Sequence, residues 1–88
     1  MANDLIEFYG RECPHCHRMD PLVVKLEKEE KVKVEKIEVW HDEKNAALFQ
    51  KTDQGKCGGV PFFFNRKTQQ FICGETDYRG LKAWATGK

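Results

Sequence analysis

Two cysteines, Cys13 and Cys16, are the residues of this chain whose type and spacing most directly indicate chemistry. Thiol–disulfide exchange needs an exposed thiol that ionises near neutral pH and attacks a disulfide, and a second thiol that resolves the resulting mixed disulfide. A Cys-x-x-Cys pair at the start of a helix meets these needs. The segment Cys13-Pro14-His15-Cys16 therefore predicts a site that makes or breaks disulfides.

The helix that follows this motif is expected to tune the two thiols. Cys13 would lie at the helix N-terminus, where unpaired N–H groups and the helix dipole favour its thiolate, and Cys16 would be more buried and act second. Pro14 suits the first helical position, because its missing N–H costs no hydrogen bond there. The dipole contributes only about 0.3–1 kcal/mol, and one pKa unit corresponds to about 1.36 kcal/mol. We therefore expect backbone hydrogen bonds and a partly cationic His15 to lower the Cys13 pKa further and to make the disulfide more oxidising.

Seven elements that could position this motif follow from the periodicity of the apolar residues and from the positions of glycine and proline. In chain order we predict a strand at 5–9, a helix at about 13–30, a strand at 32–40, a short helix around 46–49, a strand at 60–64, a return strand at 69–73 and a last helix capped by Thr76 or Asp77. Helical crossovers would join the first three strands and a hairpin the last two. This order, β-α-β-α-β-β-α, predicts an α/β fold in which three helices flank a four-stranded mixed sheet.

Three local features depart from a regular pattern. Glu7 is the one charged residue of the first strand. Pro21 lies inside the first helix, where it removes a hydrogen bond and should kink the axis. The apolar residues of 32–40 change face part-way along the strand, which predicts a bulge or a late start.

Composition limits the classes of protein and of partner. A chain of 88 residues fits one domain, residues 1–88, and 15 Lys and Arg nearly balance 14 Asp and Glu, so no strong field attracts nucleic acid or an anionic membrane. The first residues, Met1 to Asp4, lack the features of a leader peptide, and no window approaches the roughly 18 apolar residues of a membrane span. We expect a monomer in the cytoplasm that binds neither nucleic acid nor membranes.

Cys57 and Cys73 stand outside the Cys-x-x-Cys pair. The spacing of the four cysteines fits neither a disulfide scaffold nor a structural zinc site, which would use two such pairs or one pair with two later histidines. If the last hairpin turns at Arg66-Lys67, Cys73 lies opposite Val60, near the active-site end of the sheet. We favour unreactive thiols at both positions, while a second redox pair or a regulatory thiol stays open.

The order of the elements, with Cys-x-x-Cys between the first strand and the first helix and Val60-Pro61 opening the third strand, resembles the thioredoxin and glutaredoxin superfamily. Glu7, six residues before the first cysteine of the Cys-Pro-His-Cys motif, is similar to the buried Glu of the bacterial DsbA-type oxidases. Pro21 resembles thioredoxin, and residues 73–77 are similar to the glutaredoxin segment that holds glutathione. The 88 residues contain neither the inserted helical domain of the DsbA-type oxidases nor the additional first strand and helix of thioredoxin. The resemblance therefore implies a small thioredoxin-like domain with a DsbA-like active site.

This resemblance implies roles for further residues. Glu7 would be a buried acid that moves the Cys16 proton during resolution, in place of a strand residue whose carboxylate reaches the surface. Although X-Pro bonds are usually trans, Val60-Pro61 would be cis and would present the Val60 backbone beside Cys13 to an extended substrate. The other substrate-binding residues that the resemblance implies are Arg11, Gly74 and Asp77.

Together these features predict a thiol–disulfide oxidoreductase in which Cys13 is the nucleophile and Cys16 the resolving thiol. We expect it to act on protein or low-molecular-weight disulfides with a reductase or oxidase partner, and to need no cofactor beyond its own redox-active disulfide. One alternative is a glutaredoxin-type reductase with glutathione as co-substrate. A second, of a different class, is a metal or iron–sulfur carrier that uses the same cysteines, although we assign no metal site within the chain.

Overall fold

Four strands and three helices occur in the predicted order in the computed structural model, which describes residues 4–87. The elements are β1 (Leu5–Tyr9), α1 (Pro14–Glu30), β2 (Val34–Glu38), α2 (Glu43–Asp53), β3 (Phe62–Asn65), β4 (Phe71–Cys73) and α3 (Tyr78–Thr86). Residues 1–3 and residue 88 lie outside the described residues. The first three belong to the segment that is expected to lack the features of a leader peptide. Within residues 4–87, none of the helices has the length and apolar character needed to cross a membrane.

The sheet is mixed, with the strand order β2-β1-β3-β4. β1 runs parallel to β2 and antiparallel to β3, and β3 runs antiparallel to β4. The parallel pair needs a crossover, which α1 supplies, whereas the antiparallel pair β3–β4 is joined by a hairpin. The predicted mixed sheet with three helices is therefore confirmed.

The two faces of the sheet carry separate apolar clusters. On one face α1 and α3 pack against the sheet through Leu5, Met19, Val23, Leu26, Val34, Phe63, Leu81 and Trp84. On the other face Ile6, Phe8, Ile37, Val39 and Phe62 pack against Ala46 and Phe49 of α2. Because successive side chains of a strand point to opposite faces, β1 contributes to both clusters. Glu7 shares the parity of Leu5 and so lies on the face covered by α1 and α3.

β2 starts late and has no bulge. Its residues 34–38 pair with residues 5–9 without interruption. Val34 belongs to the cluster under α1 and α3, whereas Ile37 and Val39 belong to the cluster under α2. The change of face in the sequence therefore reflects a parallel strand with helices on both sides.

α1 continues through Pro21, which lies on its exposed side. The buried face of the helix consists of Cys16, Met19, Val23 and Leu26, at spacings of three and four residues. Pro21 has no N–H to donate to the His17 carbonyl, but the helix does not end there. The expected kink stays a prediction, while the expected single long helix is confirmed.

The register of the β3–β4 hairpin differs from the expected one by two residues. A turn at Arg66-Lys67 would set Cys73 opposite Val60, whereas Cys73 pairs with Phe62. The expectation was wrong because the loop is longer than a two-residue turn, and β4 begins at Phe71 in place of residue 69.

Asn65 explains the longer loop. Its backbone N–H donates to the Gln70 carbonyl at 2.9 Å, and its side-chain oxygen accepts from the N–H groups of Lys67 at 2.9 Å and Thr68 at 3.3 Å. Gln69 then takes a left-handed conformation, with φ of 65°. A side chain that bonds to backbone N–H groups two and three residues ahead stabilises a turn, and here it fixes the register of β4.

Candidate active site

Cys13 and Cys16 form a disulfide at the N-terminus of α1, with their Cα atoms 5.2 Å apart. Cys13 is the N-cap of the helix and Pro14 takes the first helical position, as the sequence predicts. The N–H of Cys16 donates to the Cys13 sulfur at 3.2 Å. Because a thiolate would accept this bond more strongly than a neutral sulfur does, the helix start favours negative charge on Cys13 once the disulfide is reduced.

Both cysteines are buried in the disulfide form. Cys13 is 2% exposed and Cys16 is 1% exposed. The expectation of an exposed Cys13 beside a more buried Cys16 is therefore wrong for this form. Its physical reason is that the Cys13 side chain turns back over the helix start, where it bonds to Cys16 and lies 3.9 Å from the carbonyl oxygen of Val60.

The segment that opens β3 lies against the disulfide. The Val60–Pro61 peptide bond is cis, as expected, and Pro61 is fully buried. The Val60 carbonyl oxygen is the atom 3.9 Å from the Cys13 sulfur, and the Pro61 carbonyl accepts a hydrogen bond from the Gly74 N–H at 2.8 Å. The structure thus brings three of the expected substrate-binding residues, Val60, Pro61 and Gly74, to the neighbourhood of Cys13.

Glu7 is 1% exposed and lies in the middle of β1. Neither of its carboxyl oxygens has a hydrogen-bond partner among the described residues. Burial raises the pKa of Glu7 to about 7, partly opposed by the Lys36 ammonium, which lowers it. The buried acid is therefore present, and the alternative of a carboxylate that reaches the surface is wrong. The catalytic role of Glu7 stays a prediction.

Charged groups on α1 and β2 surround the position of Glu7. Lys36 donates to an Asp20 carboxylate oxygen at 2.8 Å, and His17 Nδ1 lies 3.3 Å from the other Asp20 oxygen. His17 Nε2 is 2.6 Å from the Arg11 carbonyl, and this bond, followed by the bond to Asp20, raises the pKa of His17. Sequence reasoning missed this group, because the register that pairs residue 7 with residue 36 is seen only in the structure.

His15 is exposed and is paired with a carboxylate. Its Nδ1 lies 2.5 Å from a Glu75 oxygen, which also accepts from Arg18 at 3.0 Å. The hydrogen bond from His15, followed by the one from Arg18, lowers the pKa of Glu75. His15 therefore interacts with the Glu75 carboxylate, and this pairing competes with any effect of His15 on Cys13. Sequence reasoning missed Glu75, because 60 residues separate it from His15.

Two further expected substrate-binding residues have backbone contacts that organise the site. The Arg11 N–H donates to a Glu38 carboxylate oxygen at 2.9 Å. Asp77 is the N-cap of α3 and accepts from the Gly80 N–H at 2.8 Å. These contacts hold the loop before Cys13 and the start of α3, and the binding roles of Arg11 and Asp77 stay predictions.

Cys57 and Cys73 form a second disulfide, with their Cα atoms 5.4 Å apart. Cys73 is exposed and Cys57 is half-buried. The favoured expectation of two unreactive thiols is wrong about their state, since the described residues include no free cysteine. The disulfide joins the loop before Val60 to the end of β4, so the second pair of cysteines borders the same end of the sheet as the first.

A cavity of about 400 Å³ opens beside Val60. Trp40, Phe49 and Gly59 line it together with Val60. Trp40 is 53% exposed, and its ring lies so close to Gly10 that a side chain at that glycine would collide with it. The cavity offers an apolar surface to a side chain of a substrate held near Cys13. Among residues 4–87, no three His, Cys, Asp or Glu side chains cluster as metal ligands.

Comparison with known proteins agrees with the predicted fold. The family model described as Thioredoxin matches residues 2–85. A mutant thioredoxin from Halobacterium salinarum NRC-1 is similar, with a TM-score of 0.72 and 29% identity over 97% of this chain and 74% of that chain. The glutaredoxin of Archaeoglobus fulgidus has a TM-score of 0.66 and 20% identity over 93% of this chain and 85% of that chain. No curated protein sequence matches the chain.

Proposed function

Because the chain belongs to the thioredoxin family and carries a disulfide between Cys13 and Cys16, it is a thiol–disulfide oxidoreductase, and we propose that it acts on disulfides of other polypeptides. The observation that carries the proposal is the position of Cys13 as N-cap of α1, with its sulfur bonded to the Cys16 N–H at 3.2 Å. A thiolate held in this way is a nucleophile and a good leaving group near neutral pH.

Electron transfer follows two exchange steps. In the reduced protein the Cys13 thiolate attacks one sulfur of the substrate disulfide, and the other substrate sulfur leaves as a thiolate. The Cys16 thiolate then attacks the Cys13 sulfur, which reforms the protein disulfide and releases the second substrate sulfur. Two electrons pass from the protein to the substrate, and the reverse sequence oxidises a dithiol substrate.

Glu7 is proposed to take the Cys16 proton in the second step. Both residues are almost fully buried, and Glu7 lies on the sheet face that α1 covers. A carboxyl group with a pKa of about 7 exchanges protons readily at neutral pH, whereas one with an ordinary pKa would hold its proton too weakly to serve as an acid as well as a base.

A polypeptide substrate is favoured by the surroundings of Cys13. The Val60 carbonyl oxygen lies 3.9 Å from the Cys13 sulfur, where it could accept a hydrogen bond from an extended chain. The apolar cavity beside Val60 could receive a neighbouring side chain. By contrast, a carboxylate oxygen of Asp77, the residue implied in glutathione binding, already accepts from the Gly80 N–H.

The test uses a peptide with a single disulfide and dithiothreitol as the electron source, with the reduced peptide separated by chromatography. We expect the wild-type protein to accelerate reduction, Cys13→Ser to abolish the acceleration, and Cys16→Ser to accumulate an adduct of one protein and one peptide chain by mass. Thr52→Ser on α2 is the matched control for introducing a serine. A Cys13→Ser variant as active as wild type would contradict the proposal.

The two alternatives are tested in parallel. With glutathione as the electron source, a faster reaction and a glutathione adduct on Cys13 would favour the glutaredoxin-type route over the polypeptide route. Colour and metal content of the purified protein test the carrier alternative, because iron–sulfur clusters absorb visible light and bound metal is measured directly. Metal-free protein that reduces the peptide supports the proposal.

A further inference from the structure

The Cys57–Cys73 disulfide is placed where it can act on the first disulfide. Cys73 ends β4 and pairs with Phe62, and Cys57 lies three residues before Val60. The Val60 carbonyl oxygen is in turn 3.9 Å from the Cys13 sulfur. The second disulfide thus fixes the chain segment that brings the Val60 backbone to Cys13.

Besides the disulfide, residues 55–60 are held by Cys57 and Val60, which pack against the apolar cluster under α2, and by hydrogen bonds to Asp53. The buried Asp53 carboxylate accepts from the N–H groups of Cys57 at 2.7 Å and Gly58 at 2.9 Å, which ties the segment to the end of α2. A side chain added at any of the three glycines of this segment would meet no atom within 4 Å. Because its glycines have open space around them, the segment gains freedom when a covalent tether to the sheet is removed. The disulfide is that tether.

We propose that Cys57–Cys73 is a second thiol-exchange site, at which a small thiol reductant of the glutathione or dithiol class regulates the first. Reduction releases residues 55–60 from β4, loosens the position of the Val60 backbone and slows exchange between Cys13–Cys16 and a polypeptide disulfide. The regulated step is the one in the proposed function, so this inference rests on that function.

Reduction of the Cys57–Cys73 disulfide takes two thiol–disulfide exchange steps. The thiolate of the reductant attacks the sulfur of Cys73, the exposed member of the pair, and the Cys57 sulfur leaves as a thiolate and takes a proton. A second thiol of the reductant then attacks the mixed disulfide, which frees the Cys73 thiol and leaves the reductant as its disulfide. Two electrons move from the reductant to the protein, and an oxidised reductant reverses the sequence.

Exposure separates the two sites. Cys13 and Cys16 are at most 2% exposed in the disulfide form, whereas Cys73 is exposed. A small thiol therefore reaches Cys73 more easily than either sulfur of the first pair, because exchange requires in-line access to a sulfur. The second site would respond to the pool of small thiols, and the first to a partner that binds beside Val60.

The first experiment isolates the second site in the double variant Cys13→Ser/Cys16→Ser. Under native conditions the variant is equilibrated in glutathione buffers, quenched by alkylation and analysed by mass. We expect reduction of Cys57–Cys73 in the folded protein, through an intermediate that carries glutathione on Cys73. A disulfide that is reduced only after unfolding in denaturant would overturn the proposal.

The second experiment measures regulation in the double variant Cys57→Ser/Cys73→Ser. The assay runs in the oxidising direction with glutathione disulfide as the oxidant, which keeps Cys57–Cys73 oxidised in wild type. We expect kcat/KM for the peptide dithiol to fall by about tenfold in the variant, because a loosened Val60 backbone positions the substrate less well. The rate with a small dithiol in the same excess of glutathione disulfide should stay unchanged, because a small dithiol needs no strand pairing. Equal kcat/KM values for the peptide, or an equal fall with both substrates, would overturn the proposal.

Two measurements keep the outcome clear. If the serine variant does not fold, wild-type protein is assayed in a glutathione buffer that reduces the second disulfide, so that no substitution is needed, and the same tenfold fall is expected. Wild-type protein that fails to exchange with the peptide while Cys57–Cys73 is oxidised would instead remove the proposed function itself. The failure of one proposal is thereby distinguished from the failure of the other.

Discussion

The two disulfides of this protein lie at the same end of the sheet but in opposite surroundings. The Cys13–Cys16 disulfide lies within one helical turn and is buried, and its Cys13 sulfur accepts a hydrogen bond from the Cys16 N–H. Cys57–Cys73 joins residues 16 positions apart and has one exposed member. Reduction of the first pair changes the charge at a helix start, whereas reduction of the second changes how a loop is held. We therefore assign electron transfer to the first disulfide and propose that the second constrains the loop before Val60.

The comparison predicts different effects on stability when each pair is removed. Closing 16 residues restricts the unfolded chain more than closing three, so Cys57→Ser/Cys73→Ser should lower the free energy of unfolding by about 3 kcal/mol, and Cys13→Ser/Cys16→Ser by about 2 kcal/mol. Urea unfolding of both variants under non-reducing conditions measures the difference. A larger loss in the Cys13–Cys16 variant would contradict the assignment of constraint to the second pair.

Glu7 lies on the sheet face that α1 covers, and its raised pKa makes the stability of the folded protein depend on pH. Its pKa is raised by burial from 4.5 to about 7, so the folded state binds a proton more tightly than the unfolded state does. The corresponding stability is fully present below pH 4.5 and is lost as pH rises through 7, a loss on the order of 3 kcal/mol. Glu7→Gln should remove this loss and Glu7→Leu should stabilise the fold at pH 8, while both slow turnover.

The matched control for Glu7 is Glu35→Gln, a change at an exposed carboxylate of β2. Unfolding free energies at pH 5 and pH 8 are compared with the rate of peptide-disulfide reduction for each variant. If Glu7→Gln turns over as fast as wild type, Glu7 has no part in the mechanism.

A substitution at His15 tests whether this side chain lowers the Cys13 pKa and raises the reduction potential of the first disulfide. Replacing His15 by Gln removes an imidazole that is expected to stabilise the Cys13 thiolate, so the Cys13 pKa should rise and the reduction potential should fall by about 30 mV for each 1.4 kcal/mol of lost thiolate stabilisation. The potential of Cys57–Cys73 should not change. His41→Gln is a suitable control, since His41 is also exposed and also paired with a carboxylate, Glu12. Unchanged pKa and potential would make His15 a bystander.

Asp77 gives the smallest expected effect. Its carboxylate caps α3, whose first turn follows the strand that carries Cys73. Asp77→Ala should lower the free energy of unfolding by about 1 kcal/mol, and Asp77→Asn should restore most of it, because Asn is an equally good N-cap. Thermal or urea unfolding checks both variants. Loss of stability in Asp77→Asn equal to that in Asp77→Ala would show that the charge, and not the cap, matters.

Local patterns predicted most of the fold. The apolar run at 5–9, the helical spacing after Cys13 and the positions of glycine gave the seven elements in order, because side-chain periodicity depends only on neighbours along the chain. The place of Cys13 at the helix start followed in the same way from Pro14. The burial of Glu7 was implied by the resemblance to the DsbA-type oxidases, whereas its place in the strand alone left open a carboxylate that reaches the surface.

Contacts between distant segments were not predictable in the same way. The pairing of His15 with Glu75 joins residues 60 positions apart, and the Cys57–Cys73 disulfide lies beside a hairpin whose register differs from the expected one by two residues. Such contacts depend on strand register and helix packing, and these are determined jointly by many residues of several elements.

The sequence by itself determined that Cys13 and Cys16 meet within one helical turn, because three residues of helix bring their side chains to the same face. Only the tertiary structure decided that both cysteines are buried, that the Cys13 sulfur lies 3.9 Å from the Val60 carbonyl oxygen, and that Cys57 and Cys73 are bonded. The reason is physical: a bond within one turn depends on local geometry, whereas burial and a bond between the loop before β3 and the end of β4 require that β3 and β4 pair in the correct register.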